Sequence, residues 1–454
     1  MIYDLIVIGG GPAGYLAAER AGREGLNTLL IEKRFVGGVC LNEGCIPSKA
    51  LLYSAKLYDG ARYGVKYGVL AGDIRLDHQA VMERKNRVIK DLVSGVTIKL
   101  KRSKVTVVEG MAEIRGRSSE GFEVAVAEEV YTGKRLLVAS GSEPVIPPIP
   151  GLKEGLEKGY VLTNREILGL KNVPASLAII GGGVIGLEMA SYYNSAGSSV
   201  IVIEMLDHIA GNTDREISRL LLESCRKKGV EFRLGARVVE VKEGSVIYEM
   251  NGQRFSTEAE KVLLSIGRRP VVEGIGLDTI GVELERGHIK VDRRGRTNIP
   301  EVYAAGDVNG YSMLAHTAYR EAEVCVNNML GRKDMMRYDA VPSVIYTNPE
   351  VGSVGETEES AAEKRIDFEA VKISMLHSGR YAAENEEGDG ICKVLVDRKH
   401  NKLIGVHMIG GYASEVIYGA GIMIETELRV DDIKELVFPH PTVSEIIREA
   451  IFEF

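Results

Sequence analysis

An unbroken apolar run, Leu5-Ile6-Val7-Ile8, follows Asp4 near the start of the chain. It breaks on Gly9-Gly10-Gly11-Pro12-Ala13-Gly14 and gives way to small and apolar residues at helical spacing through Ala21. A second apolar run, Thr28-Leu29-Leu30-Ile31, ends on an acid, Glu32. The same pattern returns far along the chain. Ser176 to Ile180 is apolar, Gly181-Gly182-Gly183-Val184-Ile185-Gly186 is the turn, helical spacing runs through Tyr193, and Val200-Ile201-Val202-Ile203 ends on Glu204. Short apolar runs bounded by glycine predict strands buried on both faces, and the period of about 3.6 that follows predicts a helix packed on them. Each copy therefore predicts strand, glycine turn, helix, strand and terminal acid, and the chain carries two dinucleotide-fold units.

Polar helical spacing over Asp77–Arg102 predicts a long helix between the two copies. Short alternating runs from Val105 to Val138 predict strands. Pro144, Pro147, Pro148, Pro150 and Gly151 mark a linker and the exit from the first domain. Near Gly267 the chain is expected to return to that domain, because Val302-Tyr303-Ala304-Ala305-Gly306-Asp307 reads as another buried strand entering a glycine turn. From about Tyr338 the pattern changes. Lys393–Val396 and Leu403–Met408 predict strands, and Glu415–Thr426 and Ser444–Phe452 predict helices. The expected fold is α/β, with two Rossmann-like dinucleotide-binding domains and a C-terminal α+β domain. The expected boundaries are 1–146 with 267–337, then 147–266, then 338–454.

Composition narrows the class. The chain has 454 residues, 45% of them hydrophobic, enough for several cored domains. A net charge of −7 with 27% charged residues gives no reason to expect nucleic acid or an anionic membrane as partner. No apolar run reaches the roughly 20 residues that span a bilayer. The N-terminus shows neither a basic region nor a cleavage site, so a cytoplasmic location is expected. Five cysteines are too few and too scattered for a secreted disulfide framework. Cys225, Cys325 and Cys392 read as buried small hydrophobes.

A lone glycine turn is weak evidence, because a turn of this kind can be purely structural. Here both copies sit between strand and helix and both end on an acid. Gly9, Gly11 and Gly14, with Gly181, Gly183 and Gly186, permit close approach of a pyrophosphate to a helix N-terminus. Glu32 and Glu204 are placed to accept from ribose hydroxyls. An acid at Glu204 repels a 2′-phosphate, which favours NAD over NADP. Two such sites imply electron traffic between a bound and an exchangeable nucleotide.

Directly after the first unit comes Gly37-Gly38-Val39-Cys40-Leu41-Asn42-Glu43-Gly44-Cys45-Ile46-Pro47-Ser48-Lys49. Three readings compete for its cysteines. A metal site needs further Cys or His ligands nearby, and the sequence has none within 25 residues on either side; no metal is expected. A structural disulfide is unusual in a cytoplasmic chain. A redox-active pair accounts for more. Pro47 suits the first turn of a helix, which places Cys45 at a helix N-terminus where the dipole favours a thiolate, with Lys49 one turn further on. The flanking glycines permit a tight loop and close approach to a flat ring, with Cys40 further out and able to exchange with substrate.

The run Cys40 to Lys49 resembles the active-site signature of the pyridine nucleotide–disulfide oxidoreductases. Leu41, Ile46 and Ser48 are similar to the choices of that family's dihydrolipoamide dehydrogenase branch. The resemblance covers nearly the whole chain, through Arg269-Pro270, Gly306-Asp307, Met313-Leu314-Ala315-His316, Tyr346-Thr347-Asn348-Pro349-Glu350 and His440-Pro441-Thr442-Val443-Ser444-Glu445. It implies that Gly9, Gly11, Gly14 and Glu32 hold the ADP half of FAD. It also implies that Lys49 lies near the flavin and pairs with Glu188, and that Asp307 binds the ribitol. Met313, Leu314, Ala315 and His316 would line the pyrimidine edge, and Ala112, Ser140, Gly141 and Ser142 would also touch FAD. Gly181, Gly183, Gly186, Glu204, Val238 and Gly267 would take NAD.

His440 stands between Pro439 and Pro441, and by itself reads as a turn residue. Glu445, five residues later, also permits a His–carboxylate dyad, in which the acid orients the ring and raises its basicity. The resemblance implies the dyad. By that resemblance the dyad would deprotonate a dithiol and reach the cysteines across a homodimer interface of C-terminal domains. The implied reaction is dihydrolipoamide plus NAD⁺ to lipoamide plus NADH. The implied substrate is a dihydrolipoyl group on a carrier protein of a 2-oxo acid dehydrogenase or glycine cleavage complex.

Two departures bear on this. Ala139-Ser140-Gly141 stands where the family usually has Ala-Thr-Gly. Phe438 and Pro439 precede His440 where the branch usually has a His-Ala pair, which alters the wall of the substrate channel. A reductase of another small disulfide remains an alternative, as does a mainly docking role in a multienzyme complex. A mercuric reductase should end on a cysteine pair, whereas this sequence ends Ala450-Ile451-Phe452-Glu453-Phe454. Glu204 opposes an NADPH-dependent glutathione-type reductase.

Overall fold

Strand Leu5–Ile8 is buried at every position, as expected of a strand covered on both faces. It lies at the centre of a parallel five-stranded sheet in the order Val302–Ala304, Leu136–Val138, Leu5–Ile8, Thr28–Glu32, Thr106–Glu109. The computed structural model that shows this describes every residue except 387 and 389. Contacts divide the chain into two units. Residues 1–47, 83–145 and 267–337 form the first, and residues 48–82, 146–266 and 338–454 the second.

In the first unit, helix Pro12–Arg23 starts on a proline whose missing N–H would have had no partner in the helix. It buries Ala13, Ala17, Ala18 and Ala21 in one cluster with Leu5, Val7 and Leu30 of the sheet and with helix Ala315–Met329. Alanine at these positions lets the helix approach closely, which fixes where its N-terminus points. The other face of the sheet, through Ile6, Ile8, Leu29 and Ile31, packs on the meander Ala112–Arg117, Phe122–Val126 and Glu129–Gly133. Ile6, Leu29, Ile114 and Phe122 are fully buried. Each such side chain contributes roughly 1.5–3 kcal/mol, so the glycine turn is carried by a rigid scaffold.

The second unit repeats the plan. Its parallel sheet runs Val161–Leu162, Lys261–Leu264, Ser176–Ile180, Ser199–Ile203, Glu231–Arg233, followed by the meander Arg237–Lys242, Ser245–Met250 and Gln253–Glu258. Helix Val184–Ser195 buries Leu187, Met189, Ala190, Tyr192 and Tyr193. The C-terminal part is an antiparallel sheet, Ser343–Ile345, Val351–Gly355, Lys402–Ile409, Ile391–Asp397, Phe368–Ser374. Helices Ala413–Glu425 and Glu445–Ile451 share its core.

Lys393 of this sheet is buried, with its Nζ 3.0 Å from Asp214 and from Glu358 and 3.2 Å from Glu216. Burial, the largest single effect, lowers the ammonium pKa, but the bond and charge of Asp214 with the bonds to Glu358 and Glu216 together make the net shift upward. Asp214 also caps helix Arg215–Lys227, accepting from Glu216 N and Ile217 N at 3.0 and 3.1 Å.

Three local expectations change. The segment around the cysteines is not a loop. It is two helices, Gly38–Glu43 and Cys45–Arg62, separated at Gly44. Pro144 does not lie in an irregular linker. It ends a short strand, Ser142–Pro144, that pairs antiparallel with Arg268–Pro270. The chain therefore leaves the first unit and re-enters it through one ribbon. The C-terminal helix is shorter than Ser444–Phe452, because Ser444 is its N-cap and Phe452 its C-cap.

Candidate active site

The two glycine turns have the same geometry, and it separates glycines that the protein itself requires from those it does not. Gly9 has φ of +103°, and a Cβ there would lie 2.3 Å from Ala139 O; a Cβ on Gly14 would lie 1.7 Å from Gly9 O. In the second copy Gly181 also has φ of +103°, with a Cβ 2.6 Å from Ser265 O, and Gly186 would place one 2.4 Å from Gly181 O. These four are explained by turn and packing. Gly11 and Gly183 are not. Both have ordinary negative φ, and their nearest neighbours would be 3.9 Å away. Open space over a helix N-cap is the room a pyrophosphate needs, so the residues present fit a dinucleotide at both turns.

The terminal acids are held alike. Glu32 accepts from Gly10 N at 2.6 Å through one oxygen and from Arg34 N at 2.7 Å through the other. Glu204 accepts from Gly182 N at 2.6 Å and from Leu206 N at 2.7 Å. Each carboxylate is fixed at the lip of its own turn, and a carboxylate oxygen has a second lone pair for a ribose hydroxyl.

Cys40 and Cys45 are both half-buried, so exposure does not rank them. Position does. Cys40 is the third residue of the six-residue helix, whereas Cys45 opens the 18-residue helix that carries Lys49 one turn later. The short helix starts where it does because Gly37 and Gly38 take φ of +98° and +57°; a Cβ on Gly38 would lie 2.5 Å from Gly11 Cα. This packing anchors the cysteine segment directly against the first glycine turn. Tyr15 and Tyr319 share a hydrogen bond, O to O 2.6 Å. Burial, then the Tyr319 bond and then the charges of Cys40 and Cys45 push the Tyr15 pKa up, so the phenol stays protonated.

Also in the first unit, Ser142 Oγ donates to Asp307 Oδ2. Arg268 donates to Ser142 twice, from Nε to Oγ and from Nη2 to the carbonyl oxygen, both at 2.7 Å. Gly306, with φ of +81°, donates its N–H to the buried Glu321 at 2.6 Å. Ser140 Oγ donates to Val271 O at 2.6 Å, and Gly141 takes φ of +73°. Leu314 is the N-cap of helix Ala315–Met329, whose first turn holds Ala315 and His316; Met313 precedes it. Ala112 opens its meander strand and is buried. Gly267 is the residue before the return strand, with φ of +124°.

In the second unit, Lys49 Nζ lies 3.0 Å from both carboxylate oxygens of the buried Glu188 and 4.3 Å from the centre of the Tyr346 ring. Glu188 also accepts from Tyr346 N at 3.1 Å. His440 Nδ1 is 2.9 Å from Glu445 Oε1, and Thr442 N donates to Glu445 Oε2 at 2.9 Å. The Thr442 amide, then the His440 bond, hold the Glu445 carboxyl below the usual range. A carboxylate at Nδ1 puts the imidazole proton there and leaves Nε2 as a base. The His440 side chain is 76% exposed, so that nitrogen is accessible in the single chain. Val238 is buried in its strand, Arg237–Lys242.

Arg268, Glu321, Tyr15 and Tyr319 were not singled out by sequence, and Thr442 appeared there only within the His440-to-Glu445 motif. Arg268 adjoins Gly267 and the Arg269-Pro270 motif, which was its one visible signal. The others are defined by contacts distant in sequence or by a backbone amide. Among the described residues there is no group of three or more Cys, His, Asp or Glu placed to hold a metal, and no helix long and apolar enough to cross a membrane.

Comparison with known proteins agrees with this geometry. Residues 3–322 match the pyridine nucleotide-disulphide oxidoreductases, and residues 341–451 match the dimerisation domain of that family. The dihydrolipoyl dehydrogenase of Mycoplasma pneumoniae is 38% identical, with 100% of this chain and 99% of that protein covered. Leghemoglobin reductase of Glycine max is 36% identical, covering 98% and 86%. Among solved structures, LpdA of Mycobacterium tuberculosis superposes with a TM-score of 0.89 at 26% identity, covering 99% of each chain. The HOCl-induced flavoprotein disulfide reductase RclA of Escherichia coli gives a TM-score of 0.86 at 25% identity, also covering 99% of each.

Proposed function

The chain belongs to the pyridine nucleotide-disulphide oxidoreductase family, flavoproteins that use FAD and NAD, and we propose that it oxidises protein-bound dihydrolipoyl groups with NAD⁺. The His440–Glu445 dyad carries the reading, because a charge-held imidazole with an exposed Nε2 is what a dithiol substrate requires. Dihydrolipoyl dehydrogenase is the name borne by the Mycoplasma pneumoniae relative.

In this reading His440 Nε2 takes the proton of a substrate thiol, and Glu445 stabilises the imidazolium that forms. The substrate sulfur bonds to Cys40 Sγ, and the Cys40–Cys45 bond breaks with its electron pair left on Cys45. The second substrate thiol then gives up its proton and displaces Cys40, which leaves as a thiol. The substrate leaves oxidised by two electrons and the cysteine pair is reduced. FAD, when bound, supplies the two-electron relay from the cysteines to NAD⁺. Gly9, Gly11, Gly14 and Glu32 hold its ADP half, Asp307 its ribitol, and Lys49, fixed by Glu188, the positive charge one turn from Cys45. Gly181, Gly183, Gly186 and Glu204 hold NAD⁺. The working form is a homodimer in the cytoplasm, with the dyad of each subunit serving the cysteines of the other. The donor is a lipoyl carrier of a 2-oxo acid dehydrogenase or glycine cleavage complex.

Phe438 and Pro439 favour a second reading, reduction of a different small disulfide, because they change the approach to His440. Steady-state rates with dihydrolipoamide and NAD⁺, set against NADH with glutathione and coenzyme A disulfides, separate the two. Dihydrolipoamide should give the highest kcat/KM, and Cys45→Ser should reduce it to background. A Cys45→Ser protein that kept full dithiol oxidation would overturn both readings.

A further inference from the structure

The ribbon by which the chain leaves and re-enters the first unit carries a relay that ends on Asp307. Arg268 stands on the returning strand and Ser142 on the departing one. The Arg268 guanidinium forks onto Ser142, with Nε to the hydroxyl oxygen and Nη2 to the carbonyl oxygen, each at 2.7 Å. Two bonds to one residue leave its χ1 little freedom. The first of them also occupies the hydroxyl oxygen as an acceptor, so the single hydroxyl hydrogen is directed away from Arg268. It goes to Asp307 Oδ2. Ser142 is buried, so water does not readily compete for that hydrogen. On the other side, Glu321 holds the Gly306 N–H. The Asp307 carboxylate is thereby held through Oδ2, and among the described residues no protein hydrogen bond reaches its other oxygen.

We propose that Arg268, acting through Ser142, is the positioning residue that aims the free oxygen of Asp307 at a ribitol hydroxyl of FAD. This rests on the reading of Asp307 as the ribitol contact and adds the two residues that orient it. Ser142 is thus an orienting group whose hydroxyl donates to Asp307, in addition to the flavin contact that the resemblance implied. Coupling flavin retention to the crossover ribbon also accounts for an arginine at a position where an apolar residue would pair in the ribbon equally well.

The test is the rate at which holoprotein releases flavin on dilution, read as the appearance of free-flavin fluorescence. Asp307→Ala comes first. It should release flavin at least tenfold faster, and release at the wild-type rate would end the ribitol reading and the relay with it. Ser142→Ala and Arg268→Met should each speed release about tenfold, equivalent to ~1.4 kcal/mol. Their double variant should be no faster than either alone, and Ser142→Thr should restore the wild-type rate. In the Asp307→Ala background Arg268→Met should change nothing further, an outcome that a general loosening of the ribbon would not give. Fast release from Asp307→Ala with wild-type release from Ser142→Ala and Arg268→Met would overturn the relay and leave the ribitol contact standing. Multiplicative effects in the double variant would also overturn it. If Arg268→Met fails to fold, Arg268→Lys keeps the charge but loses the fork and should show the same acceleration.

Discussion

Gly11→Ala gives the sharpest separation of fold from function. Gly11 is the N-cap of its helix at φ −73° and ψ −171°, a conformation any residue adopts, and the added methyl would find its nearest neighbour, Gly38 Cα, at 3.9 Å. Alanine is a poorer N-cap than glycine by up to ~1 kcal/mol, but restricting the unfolded chain returns about 0.4–1 kcal/mol. The net change in stability is therefore about zero, within ~1 kcal/mol. The ligand is affected differently. A phosphate oxygen must come within about 2.9 Å of a backbone amide, and a methyl in that space keeps it away. One or two charge-assisted bonds are lost, each worth roughly 1.5–3 kcal/mol, or about one to two powers of ten in affinity per bond. Gly183→Ala makes the same change in the second copy. The assay is flavin per chain, urea midpoint and KM for NAD⁺ on the same preparations. Gly11→Ala should lose flavin with an unchanged apoprotein midpoint. Gly183→Ala should keep flavin and raise the NAD⁺ KM by at least about tenfold. Gly14→Ala, with its Cβ 1.7 Å from Gly9 O, should fail to fold. Flavin retention like wild type in Gly11→Ala, or loss of flavin instead of NAD⁺ in Gly183→Ala, would refute a pyrophosphate role for these two glycines.

His440→Gln should lower kcat/KM for the dithiol by about 10²–10⁴, while NADH oxidation by a dye acceptor, which needs no dyad, stays within about twofold; equal losses in both assays would remove His440 from the base role. Stability should fall in acid through His407. Burial, only partly offset by the Glu356 carbonyl, pulls its pKa below 6.5, so the unfolded chain takes up a proton that the folded chain refuses. Stability is full above about pH 6.5 and falls below it by at most ~1.4 kcal/mol per pH unit; His407→Gln should flatten the fall in urea midpoint between about pH 7.5 and 5.5, and an identical fall would refute the assignment. Burial pushes the thiols of Cys225 and Cys392 up to about 11 and about 12, and raises that of Cys325 well above the ordinary thiol value. Alkylation of native, mildly reduced protein should therefore mark Cys40 and Cys45 alone by mass spectrometry, and label on any other cysteine would count against the buried core described here.

Much of this protein was written in one-dimensional pattern. Strands Leu5–Ile8 and Ser176–Ile180 and the helices after them are local facts of periodicity and glycine placement, so the two nucleotide units were legible from sequence. The run Cys40 to Lys49 was legible as a motif, because Pro47 and Lys49 have meaning relative to Cys45 along one helix. The short helix Gly38–Glu43 was not. Two adjoining glycines and a third at Gly44 read as loop signals, and only packing of Gly38 against Gly11 explains why the segment coils instead. Hydrogen bonds between distant residues were equally hidden. The chain Arg268 to Ser142 to Asp307 joins positions up to 165 residues apart, and the Tyr15–Tyr319 pair joins positions 304 apart. Spacing determined which residues could do chemistry, since helix and strand periods are set by the backbone alone. Tertiary structure decided which oxygen of Asp307 is held and which nitrogen of His440 is left basic, because those depend on where a folded chain directs individual hydrogens.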